Sequence, residues 1–130
     1  MPAGTILIAD DDSAIRTVLN QALGRAGYDV RTTGTAAGLW RWVAAGDGNL
    51  VITDVVLPDE NGFDLIPRIK RIRPDLPVIL VTGLEPPPDL SRSRYAALRA
   101  VVSKPIDFVQ LSHRLREFLD KPSHPKPDES

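Results

Sequence analysis

Five short segments of strand character, most of them apolar, alternate with stretches of helical periodicity and constrain the fold of this chain most strongly. The segments have the length of strands and lie at residues 5–9, 28–33, 50–53, 77–82 and 100–103. After the first, Ile15, Leu19 and Leu23 recur at the spacing of one helix face. Such alternation indicates parallel pairing, because parallel strands need long crossover connections. We therefore predict an α/β fold with a doubly wound five-stranded parallel sheet, helices on both faces, and strands 1, 3 and 4 at its centre.

Length and composition indicate a single soluble domain. The chain has 130 residues and a net charge of −1, which gives no preference for nucleic acid. The absence of cysteine excludes disulfides and cysteine-based metal sites, and the apolar runs are too short to cross a membrane. We expect a cytoplasmic protein with a folded domain over 1–120 and a flexible tail or linker over 121–130, without direct membrane or nucleic-acid contact.

Residue types near the predicted helices suggest how these begin and pack. Ser13 or Asp12 is expected to cap the first helix. Pro67 is placed near the start of the third helix, where its missing N–H is tolerated. In the second helix, Trp40 lies on the apolar stripe and is predicted in the core, whereas Trp42 lies off that stripe and is predicted at the surface.

Polar residues stand at the carboxyl ends of four predicted strands. Asp10 and Asp11 follow strand 1, Asp54 follows strand 3, Thr82 ends strand 4, and Lys104 follows strand 5. In a doubly wound sheet these ends share one edge, where ligands bind. Three carboxylates at one edge repel each other, so a cation such as Mg²⁺ is expected. These residue types fit phosphoryl transfer to a carboxylate, with Asp54 as nucleophile and with Thr82 and Lys104 holding the transferred group.

Each of these residues also has an ordinary structural interpretation. An acidic triplet before a helix commonly caps it and complements its dipole. Asp54 could begin a turn toward Pro58, Thr82 could satisfy backbone groups at a strand end, and Lys104 could be a solvated loop residue. The interpretation as a site depends on their conjunction at one edge of the sheet.

The motifs that carry these residues resemble the receiver domain of two-component response regulators, over residues 5–119. The motifs are Asp10-Asp11, Asp54-Val55-Val56-Leu57-Pro58, Gly62, Thr82-Gly83 and Lys104-Pro105. The resemblance implies a flavodoxin-like fold with strand order 2-1-3-4-5. It also implies a phosphoacceptor domain, which is not an enzyme beyond self-catalysed phosphorylation and slow autodephosphorylation.

The resemblance further implies a role for each site residue. Asp54 would accept a phosphoryl group from a sensor histidine kinase. The implied Mg²⁺ ligands are Asp10, Asp11, Asp54 and the backbone carbonyl of Val56. The implied contacts to the phosphoryl oxygens are the side chains of Thr82 and Lys104. The peptide between Lys104 and Pro105 would be cis.

A narrower resemblance points to the receivers of the nitrogen regulatory protein C group. It is carried by the stretches Ile15–Leu23, Leu39–Trp42 and Pro58–Asp64. Those proteins join a receiver to an ATPase domain and a DNA-binding domain, which implies transcriptional regulation of nitrogen-regulated genes. We expect both output domains to be missing from this chain, which ends at Ser130. A homodimer is also compatible with the resemblance.

One region departs from the family pattern. Between Gly83 and Ser103 the family has a full fourth helix and an aromatic residue in strand 5, whereas this chain has Pro86-Pro87-Pro88 and Val101. Three consecutive prolines are incompatible with a helix interior. We therefore expect a short or irregular fourth helix over about residues 89–98, and the phosphorylation chemistry is better supported than the usual switching route.

Three other classes of protein share some of these features. A dinucleotide-binding domain requires a glycine-rich loop after strand 1, where this chain has three aspartates. An aspartate-nucleophile hydrolase would carry its nucleophile after the first strand and usually has a cap domain. A phosphorylation-independent, receiver-like adaptor is favoured by the altered fourth helix but disfavoured by the complete set of Asp11, Asp54, Thr82 and Lys104.

Overall fold

Short strands alternate with helices in the computed structural model, which describes residues 4–82, 98–103 and 106–120. The strands are β1 (Thr5–Ala9), β2 (Asp29–Thr33), β3 (Leu50–Asp54), β4 (Val78–Thr82) and β5 (Leu98–Ser103). The helices are α1 (Ser13–Arg25), α2 (Ala36–Ala44), α3 (Gly62–Ile72) and α4 (Phe108–Leu115), and a π-helical turn over Arg116–Asp120 continues α4.

All strand pairs in the sheet are parallel, and the order of the strands is β2-β1-β3-β4-β5. The pairing places Ala9 of β1 opposite Thr53 of β3, and Asp54 opposite Val81 of β4. The predicted parallel α/β fold is confirmed, and the apolar strands β1, β3 and β4 each lie between two neighbours. A central strand is covered by helices on both faces, and it therefore needs a nearly continuous apolar sequence.

Alternate residues of the central strands face opposite sides of the sheet and build two core clusters. Leu7 and Val51 belong to the cluster that contains the buried residues of α2 and α3. Ile8 and Ile52 belong to the cluster that contains the buried residues of α1 and α4. Full burial of one such side chain stabilises the fold by roughly 1.5–3 kcal/mol. The helices are therefore held to the sheet by apolar contact on both faces.

The first helix begins at an aspartate cap. Asp12, rather than Ser13, is the N-cap of α1, and its Oδ1 accepts the backbone N–H groups of Ala14 at 2.9 Å and Ile15 at 3.4 Å. Of the two residues expected to cap this helix, Asp12 is thus the one that does so.

The third helix begins earlier than predicted. Asn61 is its N-cap and accepts the backbone N–H of Phe63 at 2.7 Å. Pro67 therefore lies inside α3, and the prediction that it lies near the helix start was wrong. The apolar residues that mark this helix in the sequence begin only at Leu65, so the pattern gives no sign of the first turn, which begins at Asn61 and Gly62. At this position proline removes one intrahelical hydrogen bond.

The two tryptophans of α2 are buried to a similar extent. Trp40 and Trp42 are both half-buried and pack against the cluster that α3 completes. The prediction separated them into a core and a surface residue, and the structure does not. The guanidinium of Arg68 lies 4.5 Å from the centroid of the Trp40 ring, and Arg68 also forms an ion pair with Glu60.

Some expectations fall on residues that the structure does not describe. The prolines 86–88, the Lys104–Pro105 peptide and the tail at 121–130 lie outside the described residues. So does the short helix expected between strands 4 and 5 over about residues 89–98, except for Leu98, which is the first residue of β5 and not helical. Within the described part of the chain, every helix is too short or too polar to cross a bilayer.

Candidate functional site

Three carboxylates converge at the carboxyl edge of the sheet. Asp10 and Asp11 directly follow β1, and Asp54 is the last residue of β3, the strand next to β1. One oxygen atom from each of the three side chains lies within 4.8 Å of the others. The sequence placed these residues at one edge, and the structure brings them together.

The acidic group combines buried and exposed members. Asp10 is 2% exposed and Asp54 is 6% exposed, whereas Asp11 faces solvent. Charged carboxylates this close together repel each other, and a cation bound among them relieves that repulsion. Clustered carboxylate oxygens, open to water on one side, are the donor set that Mg²⁺ takes in proteins. The residues present therefore fit a magnesium ion.

Backbone and side-chain hydrogen bonds fix Asp10. Its N–H donates to the carbonyl of Thr33 at 3.0 Å, and its Oδ1 accepts the N–H of Asp12 at 2.9 Å. Its carbonyl accepts a hydrogen bond of 2.7 Å from Nη1 of Arg16. The end of β1 is thus tied to both β2 and α1.

The backbone around Asp54 is held as closely. Val56 donates its N–H to Oδ1 of Asp54 at 3.4 Å, and the hydroxyl of Thr53 donates to the Asp54 carbonyl at 3.1 Å. Gly62 donates its N–H to the carbonyl of Val55 at 2.6 Å. A Cβ atom at position 62 would lie closer than 3.0 Å to the Asp54 carbonyl oxygen, so only glycine fits this approach of α3.

The acidic triplet divides into two functions. Asp12 caps α1, which is the ordinary structural interpretation of such a triplet. Asp10 and Asp11 instead group with Asp54. Both interpretations of the sequence therefore apply, each to different members of the triplet.

The remaining predicted residues are described only in part. Thr82 is the last residue of β4, directly after Val81, whose Cα pairs with that of Asp54. The Cα of Thr82 pairs with that of Ser103. The backbone of Thr82 is therefore at the edge that carries the carboxylates, while Lys104 lies outside the described residues.

Two residues near the site were missed by sequence reasoning. Arg16 binds the carbonyl of Asp10, as noted above. Asp59, in the loop after β3, accepts the backbone N–H groups of Ala36 at 2.9 Å and Ala37 at 3.0 Å. These N–H groups lower the pKa of the Asp59 carboxyl below its ordinary value. Sequence spacing gives no signal for the second contact, because the partners belong to different crossover units.

Comparison with known proteins gives the same family for sequence and fold. The response regulator receiver domain model matches residues 6–116. The DNA-binding transcriptional regulator NtrC of Bradyrhizobium sp. (strain RP501 Parasponia) is 56% identical over 122 residues, covering 94% of this chain and 25% of that protein. The chain thus spans about a quarter of the length of this relative.

Solved structures with this fold include two receiver proteins of similar size. The CheY-like response regulator receiver domain protein of Methanospirillum hungatei is 33% identical with a TM-score of 0.80, covering 89% of this chain and 93% of that one. The response regulator TrrA of Thermotoga maritima, in complex with Mg²⁺ and BeF, is 28% identical with a TM-score of 0.80, covering 92% of this chain and 100% of that one. By its parallel sheet, its clustered carboxylates and the match over residues 6–116, this chain belongs to the response regulator receiver domain family.

Proposed function

We propose that this chain is the phosphoacceptor of a two-component system, and that Asp54 takes a phosphoryl group from a sensor histidine kinase in the presence of Mg²⁺. The observation that carries the proposal is the grouping of Asp54 with Asp10 and Asp11 at the end of a central strand. We take the folded domain to cover residues 1–120. We also take the protein to be cytoplasmic.

The metal ligands are taken to be Asp10, Asp11, Asp54 and the backbone carbonyl of Val56. When bound, Mg²⁺ would neutralise negative charge on the carboxylates and on the phosphoryl oxygens. The complex of the related TrrA protein with Mg²⁺ and BeF supports Mg²⁺ as the ion, and the grouping of Asp10, Asp11 and Asp54 supports the carboxylate ligands. The hydrogen bond from Val56 to Asp54 supports it further, since it keeps the backbone of Val56 beside the acceptor.

In the transfer step, a carboxylate oxygen of Asp54 attacks the phosphorus of a phosphohistidine. A new P–O bond forms and the P–N bond breaks, with the imidazole nitrogen keeping the electron pair and taking up a proton. Thr82 and Lys104 would donate hydrogen bonds to the phosphoryl oxygens in the product. Later attack by water on the phosphorus would return Asp54 to its free form, slowly and without another enzyme.

Acetyl phosphate with Mg²⁺ tests the acceptor assignment. Intact-mass spectrometry is expected to show one phosphoryl group on the wild-type chain and none on Asp54→Asn. Asp29→Asn is a matched control, because Asp29 is an exposed carboxylate at the opposite end of a strand. Equal modification of Asp54→Asn and wild type would contradict the assignment. In Asp11→Ala the rate is expected to fall and to recover at high Mg²⁺ concentration.

Beryllofluoride separates this function from a phosphorylation-independent adaptor. With Mg²⁺ it mimics an aspartyl phosphate, so a phosphoacceptor binds it and an adaptor does not. The clustered carboxylates favour the phosphoacceptor. A wild-type chain that binds neither Mg²⁺ nor beryllofluoride would favour the adaptor instead.

We also propose that the phosphorylated chain regulates nitrogen-responsive transcription through output domains of the NtrC type. The support is the 56% identity to the Bradyrhizobium regulator over 94% of the chain. A chimaera in which this chain replaces the receiver of that regulator tests the proposal. Nitrogen-dependent transcription that is retained by the chimaera and lost with Asp54→Asn is the expected result, and constitutive silence of the chimaera would contradict it.

A further inference from the structure

We propose that Asp59 is a positioning residue for the metal site. It would fix the loop between β3 and α3 (residues 55–61, the β3–α3 loop), and with it the backbone of Val56, by binding the start of α2. The inference rests on the proposed function, in which the carbonyl of Val56 is a ligand of Mg²⁺. Asp59 itself is three positions away in sequence and has no assigned part in the chemistry.

The contact of Asp59 with α2 uses both oxygens of its carboxylate. Oδ1 accepts the N–H of Ala36 and Oδ2 accepts that of Ala37, the first two residues of α2. These N–H groups have no partner within the helix. The N-cap residue Thr35 binds a different one, the N–H of Gly38, at 3.1 Å. Asp59 therefore supplies a long-range cap in addition to the local one, and its charge is favourable at the positive end of the helix dipole.

The base of the β3–α3 loop is closed by backbone contacts. Val56 and Asn61 form an antiparallel bridge, and Gly62 donates its N–H to the carbonyl of Val55. Asp59 lies at the tip of the loop, opposite this base. A loop held both at its base and at its tip has little freedom to rotate the peptide groups between them.

Burial holds this loop at Val55 and Leu57, which belong to the core cluster of α2 and α3, but contributes little at the positions around Asp59. Val56 is 55% exposed, and Pro58 and Asp59 also face solvent. Segments with few buried contacts open at low free-energy cost unless polar contacts hold them. Here the polar contacts are those of Asp59 with α2 and of Glu60 with Arg68, which in turn covers Trp40 of α2. The first ties the loop to α2 directly, whereas the second ties it to α3 and reaches α2 only through Arg68.

The position of this loop matters for the site because Val56 already contacts the acceptor. Its N–H donates to Oδ1 of Asp54, so a shift of the loop changes both a proposed ligand and the hydrogen bonding of Asp54. Groups that orient metal ligands without binding the metal typically affect metal affinity by about 10- to 100-fold. For one exposed carboxylate we expect the lower end, a loss of about 10-fold.

Isothermal titration of Mg²⁺ into the full chain tests the inference on four proteins. These are the wild type, Asp59→Ala, Asp59→Asn and the control Thr35→Ala. Thr35→Ala removes a cap from the same helix without touching the loop. Asp59→Asn removes the same charge as Asp59→Ala but keeps one acceptor oxygen. Urea unfolding and the hydrogen exchange of the Ala36 and Ala37 amides accompany each titration.

The expected result is a dissociation constant for Mg²⁺ about 10-fold higher in Asp59→Ala, a smaller increase in Asp59→Asn, and an unchanged value in Thr35→Ala. Exchange of the Ala36 and Ala37 amides should quicken in the same order. Three results would each overturn the inference: unchanged affinity in Asp59→Ala, equal losses in the two Asp59 variants, or an equal loss in Thr35→Ala. Failure of the wild type to bind Mg²⁺ would instead refute the proposed function. If Asp59→Ala does not fold, the inference is tested by the Mg²⁺ dissociation constants of Asp59→Asn and Thr35→Ala, and it requires the larger increase in Asp59→Asn.

Discussion

Replacement of Gly62 by alanine tests how closely α3 approaches the backbone of Asp54. The added Cβ would lie closer than 3.0 Å to the Asp54 carbonyl oxygen and 3.1 Å from the Cα of Val55. Both neighbours are backbone atoms at the end of a central strand, so neither can rotate away. Overpacking of this kind costs about 1–3 kcal/mol. The preference of a helix interior for alanine over glycine offsets little of this, because Gly62 is the first residue of α3.

Urea unfolding, followed by circular dichroism in the far ultraviolet, measures this effect. A net loss of about 1–3 kcal/mol corresponds to a midpoint lower by roughly 1 M, given slopes of about 1–3 kcal/mol per M for small proteins. Gly24→Ala is the matched control. Gly24 lies in α1, and a Cβ there meets nothing within 4 Å. This variant is expected to gain about 0.5–1 kcal/mol from helix propensity.

The two alanine variants should therefore move in opposite directions. A midpoint for Gly62→Ala that equals or exceeds that of the wild type would refute the close approach of α3 to Asp54. The same variant should take up less phosphoryl group from acetyl phosphate, because relief of the clash displaces the acceptor. Full phosphorylation of a destabilised Gly62→Ala would show that the clash is relieved by a shift of α3 and not by a shift of β3.

Three further outcomes are expected. Asp12→Ala removes the cap of α1 and should lower the free energy of unfolding by about 1 kcal/mol in urea titrations. Because hydrogen bonds from α2 lower the pKa of Asp59 from 3.8, its contribution to stability is present above that value and is lost as pH falls through the lowered pKa. The stability difference between wild type and Asp59→Ala should thus shrink in strong acid, and a difference that widens there would contradict the assigned contact. The resemblance to receivers implies that the side chains two positions after the acceptor and two after the threonine influence the hydrolytic water, and here these are the apolar Val56 and Leu84. Val56→Asn combined with Leu84→Glu should therefore shorten the lifetime of the aspartyl phosphate by about 10-fold, because polar groups can align water; decay at the parental rate would rule these two positions out.

The sequence was sufficient for the features that depend on local pattern. Apolar runs of strand length predict β1, β3 and β4 because strands buried on both faces are nearly continuously apolar. Once those strands are placed, Asp10, Asp11 and Asp54 necessarily come to one edge, since parallel strands share the direction of their carboxyl ends. Site and fold were thus predicted by the same argument.

Features that depend on contacts between distant segments were not predicted. The start of α3 was missed because the apolar stripe begins at Leu65, whereas the helix begins with the polar cap Asn61. The binding of Asp59 to α2 joins residues 23 positions apart, and no periodicity reports it. Trp42 was placed at the surface because it lies off the apolar stripe of α2, yet it is half-buried and packs against the same core cluster as Trp40.

The location of the tryptophans decides what intrinsic fluorescence measures in this protein. The chain has two tryptophans, Trp40 and Trp42, and both lie on α2 against a single core cluster. Their emission therefore reports on the face of the sheet covered by α2 and α3. The positive charge of Arg68 over the Trp40 ring would make the emission of Trp40 sensitive to the ion pair with Glu60. Neither tryptophan lies on the opposite face of the sheet, which α1 and α4 cover. Coincidence of the fluorescence and circular dichroism transitions would then show that both faces melt as one cooperative unit.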